Sequence, residues 1–345
     1  MEQHLTDIHK LIPFQNDGSV IQSSTISLSR NLTGYKFVPK ASNTELQEIL
    51  DEVCDCISEE LNNDYTFNEP DFQDPFLGDL LVENQTTSVN FEQKNCPRGT
   101  LISDGTQTAI VINDLDHIKI QTRRNFLQTK ECWLEADGVD DLIESKVHYA
   151  FSPQFGYLTT SLENAGTGLR VSIAMHLPAL AMHGKIGDLY DFAEAKDLDI
   201  SGCRGDCDPE GDLFCISNNI TIGKSEEEII TYVNKIVTRI AQFELQTRKL
   251  LVCEQYDNLS DSVNRALGTL KYARMINYIE AANLISKVKL GAMTGILKGI
   301  EPETIEKLLK MIKPAQLNYD NCEVLEYNKE ESIRADMIRS ALSSF

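Results

Sequence analysis

Positive side chains set among apolar neighbours are the first chemically suggestive feature of this sequence. Arg170 stands in Leu169-Arg170-Val171-Ser172-Ile173-Ala174-Met175-His176, where apolar and polar or small residues alternate. A charge on such a strand needs a reason: an anion to bind, or an ion pair to complete. Lys119, in His117-Ile118-Lys119-Ile120-Gln121, poses the same question. Just upstream, Asp114 and Asp116 flank Leu115. Strand alternation would point them away from the face of Leu115, so either would need a bulge to act there. Gly166-Thr167-Gly168 is a phosphate-loop signal too short to stand alone. Lys224 and Ser225 open a helix, where anions can bind. Ser225 and Glu228 also form a capping box, which explains the serine without an anion. A lone histidine such as His117 is more often a satisfied structural group than a ligand.

These residues need a scaffold, and the pattern supplies one. Ile110-Val111-Ile112, 117–121 and 169–176 read as strands, the last with one buried face and one face available for a site. Ile229, Val233, Ile236, Val237 and Ile240 lie on one stripe of a helix over 225–250. After Tyr256 no strand pattern returns. Helices are predicted around 263–270, around 281–288 with Gly291 as its end, around 305–312 between Pro302 and Pro314, and around 333–341. The chain thus divides into a mixed α and β part to about 255 and an all-α part after it.

The 345 residues carry a net charge of −21, and most of the excess lies between Lys40 and Lys94, where there is no Lys, Arg or His. A surface this acidic repels phosphate backbones, which argues against nucleic acid as a partner. Leu46, Leu50, Val53 and Ile57 start this stretch helically, but from Asn63 to Asn95 no period is visible. The stretch reads as a solvated insertion at about 41–93. Nine cysteines at irregular spacing, without paired CxxC or His spacing, read as reduced thiols in a cytoplasmic protein and not as a metal site. No apolar run is long enough to span a bilayer, and the N-terminal residues lack a secretory pattern.

Four blocks in order, 113–121, 157–180, 214–230 and 267–291, resemble the ATP:guanido phosphotransferases (phosphagen kinases). Among these the sequence is most similar to the bacterial protein-arginine kinases of the McsB type. The likeness covers roughly 20–40 and 100–345. It implies an α+β fold: a guanido-kinase antiparallel sheet flanked by helices over 1–255, then a helical docking or dimerisation domain over 256–345. It implies transfer of the γ-phosphoryl of ATP, with Mg, to an arginine guanidinium. Such a reaction needs cations on the phosphates, a carboxylate at the guanidinium and a lid against water. It also implies protein partners: Clp-type protease machinery, a McsA-like activator and a second copy of the chain.

The resemblance breaks at the chemistry. Thr25 and Ser27 occupy two positions where the family has phosphate-binding arginines, in Ser23-Ser24-Thr25-Ile26-Ser27-Leu28-Ser29-Arg30-Asn31. Leu115 replaces the catalytic carboxylate, and Lys119 an arginine. Ser161 replaces a reactive cysteine in Ser161-Leu162-Glu163-Asn164-Ala165-Gly166-Thr167-Gly168. By position, Ser24, His117, Lys119, Arg170 and Arg204 are the expected nucleotide contacts, and Glu163 is the substitute carboxylate. Arg334 and Arg339 stand where the family binds phosphoarginine, but the leading arginine of that element is Glu330. Two functions follow: a nearly silent kinase relative acting as a binding scaffold in protein quality control, or an active arginine kinase using Glu163.

Overall fold

The computed structural model describes residues 15–16, 18–60, 65–69, 76–91, 95–103, 105–203, 209–343 and 345. Its centre is β1, Ile21–Arg30, which pairs antiparallel with β5 (Ile118–Asn125) on one side and β8 (Leu169–His176) on the other. β2 (Tyr65–Asn68), β3 (Gly99–Ser103) and β4 (Thr108–Ile112) extend the sheet beyond β5. β9 (Leu198–Gly202) and β10 (Leu213–Asn218) extend it beyond β8. The eight-stranded order is β2-β3-β4-β5-β1-β8-β10-β9, antiparallel throughout. β6 (Phe151–Ser152) and β7 (Gly156–Tyr157) form a separate hairpin.

Period-two alternation gives the sheet two unlike faces. Ile26 and Leu28 of β1, Ile118 and Ile120 of β5, and Leu169, Val171 and Ile173 of β8 are buried on one face. Against it pack α1 (Asn43–Glu60), α3 (Thr129–Glu144) and α6 (Glu226–Glu254). The capping box of Ser225 and Glu228 starts α6, as its sequence predicts. The other face carries the polar members of the same strands.

The acidic stretch is not a solvated insertion, contrary to its composition. α1 buries Leu46, Ile49, Leu50, Val53 and Ile57 in the main core. β2 is a strand of the main sheet, and α2 (Leu77–Glu83) ends on a carboxylate that accepts the backbone N–H of Ala315 at 2.9 Å. The acids crowd the outer side of a helix whose inner stripe is apolar, so charge count alone misread it.

From Tyr256 onward the structure is helical: α7 (Tyr256–Tyr272), α8 (Tyr278–Met293), α9 (Pro302–Met311), α10 (Pro314–Asn321) and α11 (Tyr327–Ala341). They enclose a second cluster of apolar residues that includes Leu270, Ile285, Ile305, Leu308 and Ile338. Gly291 does not end its helix. It lies within α8 where α7 crosses, and a Cβ there would stand 2.3 Å from Val263 Cγ1. α8 is fastened to the sheet by polar contacts: Ser286 donates to Asp212 at 2.5 Å and lies 2.9 Å from His176 Nε2. Lys289, wholly buried, reaches Gln22, and burial lowers its ammonium to about 8. Short α4 (Pro178–Met182) and α5 (Ile186–Glu194) complete the body. No described helix is long and apolar enough to cross a membrane.

Candidate functional site

The polar face of the central strands gathers the charged residues that the alternation pattern singled out. In register, Thr25 lies opposite Arg123 on β5 and Ser172 on β8. Ser27 lies opposite Gln121 and Arg170, and Ser29 opposite Lys119. Directly opposed side chains of an antiparallel pair share a face and approach closely. The two positions without an arginine are therefore flanked by Arg123 on one side and Arg170 on the other.

Arg170 is both accessible and paired. Its Nη2 donates to Asp199 Oδ2 at 3.0 Å and to Ser217 Oγ at 2.8 Å, with a side chain 35% exposed. Lys119 donates to the carbonyls of Thr86 at 3.0 Å and Gln85 at 3.4 Å. Burial lowers its ammonium to about 8 against the pull of Asp114, and Arg170 lowers it further. Arg123 donates to Ser23 Oγ at 3.1 Å.

Other expected contacts lie elsewhere. Ser24 faces the helical side, where its hydroxyl donates to the Phe126 carbonyl at 2.6 Å and accepts from Gln128 N–H at 3.0 Å. His117 is wholly buried. Its Nδ1 accepts the Leu32 N–H at 3.0 Å while Nε2 donates to the Lys36 carbonyl at 3.0 Å, and burial pulls its pKa down. Both are structural groups and not ligands of the open face. Arg204 lies outside the described residues.

The two acids that flank Leu115 are already engaged. Residues 113–117 form a tight connection between β4 and β5, with Asn113 at φ 60°. Asp114 accepts from Ser88 N–H at 2.8 Å and Ser88 Oγ at 2.5 Å. Asp116 Oδ1 accepts from Thr160 N–H at 2.6 Å and Asn31 Nδ2 at 2.7 Å. Leu115 itself is 57% exposed. The flanking acids are thus spent on holding neighbouring loops, a different obstacle from the alternation expected of a strand.

The 161–168 loop is fixed from below by Arg30. Its guanidinium, 2% exposed, pairs with Asp140 at 2.6 Å, donates to the Thr167 carbonyl at 2.9 Å and lies 3.7 Å from the Tyr157 ring centre. Gly168, at φ 67°, must be glycine, since a Cβ would meet Arg30 Nη1 and the Ser29 carbonyl at 2.5 Å. Ser161 contributes its carbonyl to the Thr159 hydroxyl at 2.6 Å. Glu163 is exposed, and its backbone carbonyl accepts from the Thr221 hydroxyl at 2.9 Å.

Arg334 does not present a docking guanidinium. It is wholly buried and donates to the carbonyls of Ile312 at 2.7 Å and Ile276 at 3.1 Å. Glu330, the reversed charge, is its ion-pair partner one helical turn away. Arg339 pairs with Asp336 and the Ala273 carbonyl. These contacts tie α11 to the other helices, which contradicts an exposed phosphoarginine-type role for Arg334.

Between the open sheet face and the helices lies a cavity of about 430 Å³. β1, β5 and β8 form its floor, and α8, α9 and α10 its opposite wall. Arg123, Lys310 and Lys313 line it, together with Glu210 and Glu306. Arg123 and Lys313 were not singled out from sequence. Extending the Lys119, Gln121 alternation by one more step would have reached Arg123. Nothing local in the sequence marks Lys313.

Comparison with known proteins decides the family. The model of the ATP:guanido phosphotransferase C-terminal catalytic domain matches residues 46–247, and that of the protein-arginine kinase McsB C-terminal domain matches 256–345. The protein-arginine kinase of Bacillus subtilis is 33% identical over 331 residues, covering 94% of this chain and 91% of its own length. That of Halothermothrix orenii is 31% identical over 325 residues, covering 94% and 93%. The chain belongs to the protein-arginine kinase family. The catalytic-domain match begins inside α1, so it takes in most of the acidic stretch that the motifs alone left outside. A lombricine kinase structure shares the fold of this family member, with a TM-score of 0.59 and 23% identity over 68% of this chain and 69% of that one. The substrate-free duplicated taurocyamine kinase of Schistosoma mansoni also gives 0.59, at 18% identity over 68% and 35%.

Proposed function

We propose that this member of the protein-arginine kinase family binds ATP on the open sheet face and transfers its γ-phosphoryl slowly or not at all. On this reading it acts as a binding or regulatory scaffold. The observation that carries the reading is the missing carboxylate: Leu115 stands at the family's position, while Asp114 and Asp116 are engaged elsewhere. Loss of a general base lowers a rate by about 10²–10⁴. Loss of an arginine at a phosphoryl transition state lowers it by about 10³–10⁵. The two do not multiply, because the groups act together.

ATP suits the donor set: Arg170 and Arg123 present guanidiniums beside the hydroxyls of Thr25 and Ser27. Mg would arrive on the nucleotide's own oxygens, since among the described residues no three His, Cys, Asp or Glu side chains converge. Clp-type protease machinery, a McsA-like activator and a second copy of the chain are the protein partners to test in the cytoplasm. Exposed Tyr272, Ile279 and Tyr327 on the helical part offer apolar surface for them.

The test is phosphoarginine formation on an arginine-containing unfolded protein with Mg-ATP, read by mass spectrometry. No product above background is expected. Clear transfer that Glu163→Gln abolishes would establish the second reading, an active kinase. What favours that reading is the exposed Glu163 on the loop beside Leu162, itself 85% exposed.

A further inference from the structure

The cavity between sheet and helices gathers cations among its described lining residues. In a molecule of net charge −21, its walls carry Arg123 from β5, Lys310 from α9 and Lys313 from the residue that opens α10. Of the two lining acids, Glu306 stands 3.9 Å from buried Lys289 and is offset by it. Among the described lining residues, Arg123, Lys310 and Lys313 then stand with Glu210. Arg123 and Lys313 both act on the thiol of Cys203, and Arg123 and Arg170 both act on that of Cys215. Arg123, Lys313 and the Cys203 thiol line the same cavity, whereas Arg170 stands outside its lining.

The geometry points to Arg123 and Lys313 as a two-sided phosphate grip that binds the phosphates of a nucleotide between the sheet and the C-terminal helices. The inference rests on the nucleotide-binding half of the proposed function and adds to it the residues and the participation of the helical wall. Arg123 is placed for this by strand register, directly beside Thr25, whose hydroxyl can hydrogen-bond a phosphate but not neutralise it. Lys313 is placed by its hydrogen bond to Asn84 Oδ1 at 3.2 Å, which holds its Nζ at the cavity wall. Its volume suits a small ligand, and its lining mixes many polar and charged side chains with apolar ones such as Leu81, Ile102 and Leu213. Gln121 and Asn125 also line it beside the cations, whereas the Gln22 amide is engaged by Lys289 and by the carbonyls of Gly18 and Val20.

The experiment is calorimetric titration of the full chain with Mg-ATP, inorganic tripolyphosphate and adenosine. Mg-ATP and tripolyphosphate are expected to bind. Arg123→Ala and Lys313→Met should each weaken both by roughly tenfold or more, with adenosine unaffected. Arg123→Lys should keep part of the affinity, because it keeps the charge. Arg124→Gln is the control, since Arg124 points to the other face and pairs with Glu135 at 2.6 Å. Unchanged affinity in Arg123→Ala overturns the inference, as does a wild-type chain that takes up neither phosphate ligand. Loss in Arg123→Ala without loss in Lys313→Met overturns the helical half. Vigorous phosphoryl transfer would overturn the silent reading and leave this inference standing, so the two failures are distinct.

Discussion

Thr25 and Arg123 stand directly opposite one another on adjacent antiparallel strands. The hydroxyl stands on the central strand, and the guanidinium comes from its neighbour β5. Ser27 and Arg170 repeat the relationship across β1 and β8. Each hydroxyl thus has a guanidinium beside it on the same face.

This placement makes simple restoration costly. Thr25→Arg sets two guanidiniums opposite each other, and Ser27→Arg does the same with Arg170. Like charges so placed destabilise a sheet by about 0.2–1 kcal/mol each. Urea denaturation should register the loss in each variant, and Mg-ATP should offset it. A Thr25→Arg chain as stable as wild type would contradict the register.

Arg30 anchors the 161–168 loop from beneath. Arg30→Met leaves Asp140 buried without its partner, which costs about 3–5 kcal/mol. The denaturation midpoint should fall accordingly. Amide exchange at Thr167 and Gly168 should rise, because the guanidinium also holds the Thr167 carbonyl.

Lys119 gives a dependence on pH. Its folded pKa, about 8, lies below that of the unfolded chain, so between the two values the unfolded chain binds more protons. Stability contributed at this site therefore rises as pH climbs from about 8 toward the unfolded value, and the charged form weighs against folding below that window. Comparing wild type with Lys119→Met isolates it. The wild type should gain on the variant through this interval, and parallel stability curves would rule the shift out.

Ile49→Ala distinguishes the two views of the acidic stretch. Ile49 is fully buried in the main core, so truncation should cost about 2–5 kcal/mol. An insertion lying in solvent would lose almost nothing. Deleting 41–93 should abolish folding, because β2 and α1 leave with it.

Much of this architecture is legible in the residues. The alternation of 169–176 marks β8 from end to end, and Ser225 with Glu228 marks the start of α6. α1 was visible in its apolar stripe but was outweighed by its charge. β2 has too little pattern in four residues to be seen without its partner β3. Gly291 read as a helix end because a glycine looks the same whether it frees the backbone or admits a crossing helix. The site was legible by type and less so by role. His117 and Arg334 have the right chemistry for ligands, and only tertiary contacts reveal that backbone carbonyls and amides have already claimed them. Lys313 joins Arg123 only through folding that brings residues 190 positions apart to one cavity.

The two-part wall of that cavity has a thermodynamic corollary. Whatever occupies it touches strands fixed in the main core and helices built around a second cluster, so occupancy and the seating of α9 and α10 are linked functions. A protein that grips those helices and shifts them changes ligand affinity by some factor. Bound ligand must change that protein's affinity by the same factor. The chain could in this way report nucleotide level to a partner without completing a single turnover.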